Sequence, residues 1–490
     1  MQFSWKTVRY ILEAIILLEL LAALGYFYPV IGTALFIISC LVILWLTIRR
    51  LEWGLYVLVI DLLISSKGYL LSLNLGGFKL SWRMAIWLII MAVWFVQLIV
   101  AIYRRQAWPK QLWQRLKDSG WLILLAMIIF AIINAWWRGH QLANIFFDAN
   151  GWLFWLIFLP ILTVARWSIN QLSSVIVAGL AWLTAKTGFL LYAFGHFSPG
   201  LRMVIYRLIR DTQVGEITSL SGQFYRVFLQ SQVYFLIFLV IIAWQLAGRL
   251  PLKHWPRWLI GRPGRLYLLA FSLSLLPIIV GFSRSFWFGL VLSMFFLLIM
   301  IWRRYRWPVV WRWSLSLLLA SVLSIVLIVV IVRFPWPQPQ LSFKAGDLLE
   351  ERLGNLDSEA GASSRWSLLP KMVQAISQSP FFGQGLGATI TYRSADPRIL
   401  ENESSGYYTT YAFEWGWLDI IFKFGFLLAL WYFIWLGRLA WRSWRYGPVG
   451  EALAIGLLVV AAVHFFSPYL NHPLGIGFLA GMLAWLVRQK

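Results

Sequence analysis

TYAFEWGWLDIIFKFGFLLALWYFIWLG, residues 410–437, decides the fold. From about Trp415 onward it stays apolar over the ~17–25 residues that a helix needs to cross a bilayer. Two charges interrupt it, Asp419 and Lys423, and their i, i+4 spacing lets them pair on one helix face. Glu414 stands at the entrance of the run. A charge at the centre of a bilayer costs at least ~2.5–3.5 kcal/mol, so each one here must be paired or used.

The rest of the chain reads the same way. Of 490 residues, 61% are hydrophobic and 12% charged, whereas soluble domains are nearer half apolar and a quarter charged. The fold class is therefore an all-α polytopic membrane protein. Apolar runs fall near 11–28, 29–48, 52–66, 84–103, 120–137, 151–165 and 171–194. Others fall near 229–248, 266–281, 286–302, 313–334, 415–437, 449–468 and 473–487, which predicts about fourteen transmembrane helices. The first run lacks a small-residue cleavage site and reads as a retained helix. The net charge of +23 sits in clusters beside the spans, so anchoring by the positive-inside rule explains it and no nucleic-acid partner is implied. Alternation from an inside N-terminus puts Arg49-Arg50, Arg104–Lys117, Arg249–Arg265, Arg303–Arg312, Arg438–Arg445 and Arg488–Lys490 on the cytoplasmic side. Both termini are then cytoplasmic. The single cysteine, Cys40, leaves no disulfide framework and no zinc pattern.

Two outer loops exceed what a connection needs, and long loops tend to carry function. The organisation is 1–334 with eleven helices, 335–413 as a large outer loop before the twelfth, and 414–490 with the last three. Within 1–334, the loop near 195–228 contains LRMVIYRLIRD. Its Leu201, Val204, Ile205 and Leu208 follow helical spacing while Arg202, Arg207 and Arg210 share the other side. That is an amphipathic helix lying in the interface, as a membrane anchor or a basic shelf for lipid phosphates. The 335–413 loop holds the only soluble-like composition. A helix near 364–378 is followed by SPFFGQGLG, whose glycines lack the Lys-Ser/Thr of a phosphate-binding loop and read as a tight turn over the membrane core.

Three residues stand out at the outer ends of segments: Arg284 in GFSRSFW, Arg365 in SSRWSLL and Glu414. Arg284 has small polar neighbours that leave room for an anion, although snorkelling would also place it there. Arg365 sits near a helix start, where the dipole disfavours a cation unless an anion shares the site. Glu401 and Glu403 in ENESSGYY are rival carboxylates. Tyr407 and Tyr408 suit stacking on sugars as well as packing under a lid. Lys186, Asp61, Glu13 and Glu19 are open to two readings, pairing between helices or marking an ion pathway. His464, Asn471 and His472 lie at the same outer face and read as packing of the last loop, ahead of a substrate role.

Together these elements resemble the O-antigen ligase and O-antigen polymerase family of bacterial membrane glycosyltransferases, over about 225–487. The resemblance rests on Ser283-Arg284 closing a helix, a large loop with Arg365 and Leu369 in an R-x3-L element, and the proline-glycine turn SPFFGQGLG. LDIIFKFG then matches the helix that follows, with ten residues between Glu414 and Gly425. The family places a histidine where this chain has Glu414.

The resemblance implies an architecture like the C-class glycosyltransferases and a metal-independent, inverting transfer. A glycan would pass from a polyprenyl-diphosphate carrier to a glycan, lipid or protein hydroxyl at the outer face of the bacterial inner (plasma) membrane. No cofactor is implied. The catalytic candidates are Glu414, Arg284 and Arg365; the substrate-binding candidates are Arg207, Arg210, Arg226, Tyr407 and Tyr408. Guanidinium forks bind phosphate oxygens bidentately, and a carboxylate can take a hydroxyl proton. The rival class is a multi-pass transporter of an anion or lipid-linked sugar, which should show internal repeats and broken helices. Neither is evident in the sequence.

Overall fold

The computed structural model describes residues 4–164, 168–220, 224–251, 254–337, 360–394, 399–400, 403 and 405–489, without the side chains of 169 and 360–364. The chain is all-α apart from three two-stranded antiparallel hairpins among these residues. Ten helices are long and apolar enough to cross a membrane, and an eleventh candidate is the pair Trp108–Ser119 and Trp121–Trp137, bent by 75°. Three further apolar runs form the shorter helices Leu51–Ile64, Gly447–Val463 and Pro473–Val487. Each predicted run thus contains a helix among the described residues. The largest boundary difference is that the run predicted from 151 begins as helix at Leu142; the run predicted over 415–437 also continues to Trp444, and that over 449–468 stops at Val463. Helices satisfy every backbone group internally, which hydrocarbon demands. In the first two, Trp5–Phe27 and Pro29–Arg49, only 17% of the apolar stretch is buried by protein, leaving the rest for lipid.

Two compact units share the chain. The first comprises 1–109 and 157–343, and the second 110–156 and 344–490. In the first, buried charges are paired between helices. Lys186 contacts Glu19 at 2.7 Å, and Trp182 donates its indole N–H to the same carboxylate. Arg83 contacts Asp61 at 2.5 Å. Unpairing either would leave a lone charge inside the membrane at a cost of ~3–5 kcal/mol. Glu13 differs from expectation: its partner is Arg9 on its own exposed helix turn, so it ties no helices together.

The predicted amphipathic helix is present as Pro199–Asp211. Ile209 anchors it, while Leu201, Met203 and Val204 stay exposed, as suits an interfacial helix. Arg202 has turned inward and donates to the Tyr225 hydroxyl at 2.6 Å. Arg207 and Arg210 remain at the surface. A hairpin, Glu216–Ser219 with Tyr225–Phe228, completes this region.

Candidate active site

The loop between 335 and 413 is built on a helix, Ala360–Gln378. Its Leu368, Met372 and Ile376 recur every four residues and form one buried face with Ala388, Ile390, Phe413, Trp415 and Phe422. A hairpin, Ile390–Arg393 with Tyr407–Thr410, lies beside it. Arg365, one turn before Leu369, reaches over this apolar cluster, and its guanidinium Nε forms an ion pair with the Glu414 carboxylate. The Trp415 indole N–H donates to the Arg365 carbonyl at 3.1 Å, fixing the two segments backbone to side chain. Glu414 lies two residues ahead of its helix, which starts at Gly416 with Trp415 as N-cap, rather than beginning the span as expected. The side chains of Arg365 and Glu414 are 31% and 55% exposed. An ion pair so open to solvent contributes only ~0–1 kcal/mol, so a ligand can exchange for either partner.

The span below is broken. Gly416–Trp444 changes course at Gly425, whose φ of 74° and ψ of 170° no helix contains. The break frees backbone groups, and the turn after the loop helix takes them up. Gln384 N–H donates to the Phe422 carbonyl at 2.8 Å and Gly385 N–H to the Lys423 carbonyl at 3.0 Å. Phe426 N–H donates to the Pro380 carbonyl at 2.7 Å. The glycines are required by this approach: a Cβ on Gly383 would stand 2.5 Å from the backbone of Lys423 and Gly425. The tight turn over the membrane core is therefore as predicted, but it docks into a helix break that hydropathy had not revealed. Arg138 and His140, neither singled out from the sequence, clasp the same turn. Arg138 donates to Gln384 Oε1 at 2.9 Å and Ser379 Oγ at 2.8 Å, and His140 Nε2 lies 2.8 Å from the Gln384 carbonyl.

Gly425→Ala should lower the thermal midpoint of the purified protein by the equivalent of about 1–3 kcal/mol, the usual cost of forcing such a backbone on an L-residue. Gly437 is the control, since a Cβ there meets nothing within 4 Å; Gly437→Ala should leave the midpoint unchanged or raise it slightly. Equal midpoints for the two variants would mean that the break is not needed.

A buried charge cluster sits at the break. Asp419 and Lys423 pair at 2.7 Å as the i, i+4 spacing predicts. The ammonium has a second partner, Asp148, at 2.8 Å. Asp148, within LANIFFDANGWL, also accepts the Gly387 N–H at 2.7 Å, and Asn471 donates to Asp419 at 2.6 Å. Among the described residues no group of three or more His, Cys, Asp or Glu side chains is arranged to hold a metal.

Compared with known families, residues 269–433 match the O-antigen ligase family model. Over these residues the chain is similar to that family. No curated protein matches the chain. The matched stretch is shorter at both ends than the resemblance read from sequence, and it contains Arg284, Arg365, Glu414 and Gly425. Arg284 is the first residue of the helix Arg284–Arg304, half-buried between Ser283 and Ser285, whose hydroxyls contact each other at 3.0 Å. It belongs to the first unit, whereas Arg365 and Glu414 belong to the second. Tyr407 and Tyr408, also in the matched stretch, are exposed on the hairpin at 61% and 40%. Tyr408 makes an edge contact with Tyr392. Arg226 lies outside the matched stretch; its Nε donates to the Gly281 carbonyl at 2.9 Å, three residues before Arg284. Of the rival carboxylates, Glu401 lies outside the described residues. Glu403 accepts from the Ser405 hydroxyl at 2.8 Å. His464 and His472 accept backbone N–H groups of Leu470 and Leu474, so the last loop is held by packing as expected. His464 is fully buried against Gly416 and Trp417.

Proposed function

We propose that this membrane protein transfers a glycan from a polyprenyl-diphosphate carrier to a hydroxyl acceptor at the outer face of the bacterial inner membrane. The observation that carries the reading is the meeting of Arg365 and Glu414, forty-nine positions apart in the chain, within the stretch similar to the O-antigen ligase family. One is a permanent cation with a planar fork suited to phosphate oxygens. The other is a carboxylate that can accept a proton. In the proposed step Glu414 takes the proton of the acceptor hydroxyl while that oxygen bonds to the anomeric carbon. The bond from that carbon to the diphosphate oxygen breaks, the electron pair leaves with the diphosphate, and configuration inverts. Arg365 stabilises the charge growing on the leaving group. Arg284 is assigned a phosphate on its chemistry and its place in the matched segment. Tyr407 and Tyr408 offer exposed ring faces to sugars, and Arg207, Arg210 and Arg226 are assigned to the anionic carrier. Ligase, polymerase and protein glycan transferase share this chemistry.

The broken helix at Gly425 favours the transporter reading, since transporters build substrate sites at such breaks. Here, however, the freed carbonyls of Phe422 and Lys423 accept N–H groups of the docked turn, so the break serves as a joint between loop and span. The two readings separate in detergent. With no gradient and with chelator present, the purified protein should form transfer product from a lipid-diphosphate glycan. Solute flux into reconstituted vesicles without any product would establish transport instead.

A further inference from the structure

Lys423 lies 2% exposed inside a spanning helix, where an ammonium is costly. Lys423 is held from two sides by Asp148 and Asp419, and both carboxylates are themselves fixed, by Gly387 N–H and Asn471. The ammonium therefore has one defined position. On its remaining side it faces the ring of Phe413, 5.6 Å from Nζ to the centroid. Phe413 is 2% exposed, packs edge-on against Phe422 at 5.3 Å, and immediately precedes Glu414. Glu414 lies outside the helix and outside the hairpin, so no ladder of backbone bonds fixes it. Besides its pair with Arg365, its position depends on two flanking anchors: Trp415, tied to the Arg365 carbonyl, and Phe413, packed in the apolar cluster and facing Lys423.

We infer that Lys423 is a positioning residue for Glu414, acting through the Phe413 ring. This rests on the reading of Glu414 as the base. A desolvated ammonium facing an aromatic ring attracts it more strongly than an exposed one does, and catalytic groups misplaced by about 1 Å lose roughly 10²-fold in rate. The two aspartates hold the cation, and the cation holds the ring. The carboxylate next along the chain is then presented to the acceptor from a fixed point inside the membrane helix.

The test uses the full-length protein in detergent with a lipid-diphosphate glycan donor. Lys423→Met risks misfolding because it leaves two buried carboxylates uncompensated, so the informative variant is Phe413→Leu, which keeps the ion cluster and removes the ring. It should lower kcat by about 10–100-fold with donor KM within about twofold, since donor contacts are untouched. Lys423→Arg, which preserves the cation and both carboxylate pairs, should retain more activity than Lys423→Gln. In a Glu414→Gln background Phe413→Leu should cost nothing further, because a positioning residue acts only through the group it positions. Wild-type kcat in Phe413→Leu would overturn the inference. So would an equal fractional loss in both backgrounds, although that leaves Glu414 as base. A Glu414→Gln protein with wild-type turnover would instead remove the base reading itself, and this inference with it.

Discussion

Arg365→Ala should reduce glycan transfer by about 10²–10³-fold or more, the scale seen when a preorganised donor to a developing negative charge is removed. Folding should be little affected, because the pair it makes with Glu414 is exposed and such pairs contribute ~0–1 kcal/mol. Arg365→Lys should rescue poorly, since an ammonium cannot reproduce the two-toothed contact with phosphate oxygens. The charge swap Arg365→Glu with Glu414→Arg is the decisive companion. It can restore an ion pair but puts a carboxylate where the leaving group needs a cation, so it should stay inactive while folding normally. Recovery of transfer in the swapped protein would mean that the pair is structural. Arg284→Ala is expected to show a similar loss, and full activity there would remove that residue from the reaction.

Glu414→Gln carries the second large effect. The amide keeps the shape and still accepts a hydrogen bond from Arg365 but cannot take a proton, so the rate should fall by roughly 10²–10⁴-fold with donor binding retained. Glu414→His should regain part of that loss, with a pH profile moved toward the ordinary imidazole range near ~6.5. Glu403→Gln is the control: its carboxylate faces Ser405, and turnover should be unchanged. A dead Glu403→Gln beside a normal Glu414→Gln would move the base onto the hairpin loop.

What could be read in advance follows from the range of each interaction. The apolar runs, the Asp419–Lys423 pair and the amphipathic Pro199–Asp211 helix are set by neighbours within a few turns, and periodicity exposes them. The Gly425 break is invisible because one glycine barely changes the hydropathy of a long apolar segment, and its cause lies in Gly383 and Gly385, some forty positions earlier. GQGLG suggested a turn but not the helix it enters. Asp148 looked like any polar residue near a helix end; the buried lysine was the signal, since a lone i, i+4 carboxylate did not account for every donor on its ammonium. Arg365 and Glu414 each stand out by residue type and place, but no local pattern marks that they touch each other across forty-nine positions.

The joint at Gly425 also limits how this protein can be re-engineered. Exchanging the 335–413 loop for that of another enzyme looks like the simplest route to a new acceptor, because such loops are usually cassettes between fixed stems. Here the stem passes through the cassette: Pro380–Gly387 supplies the backbone partners that the span itself lacks on both sides of Gly425. A graft confined to residues before Ala360 keeps the host turn, the loop helix that carries Arg365 and their seat on the span together. A graft that replaces the turn must bring its own matching span, so loop and membrane helix are inherited as one part.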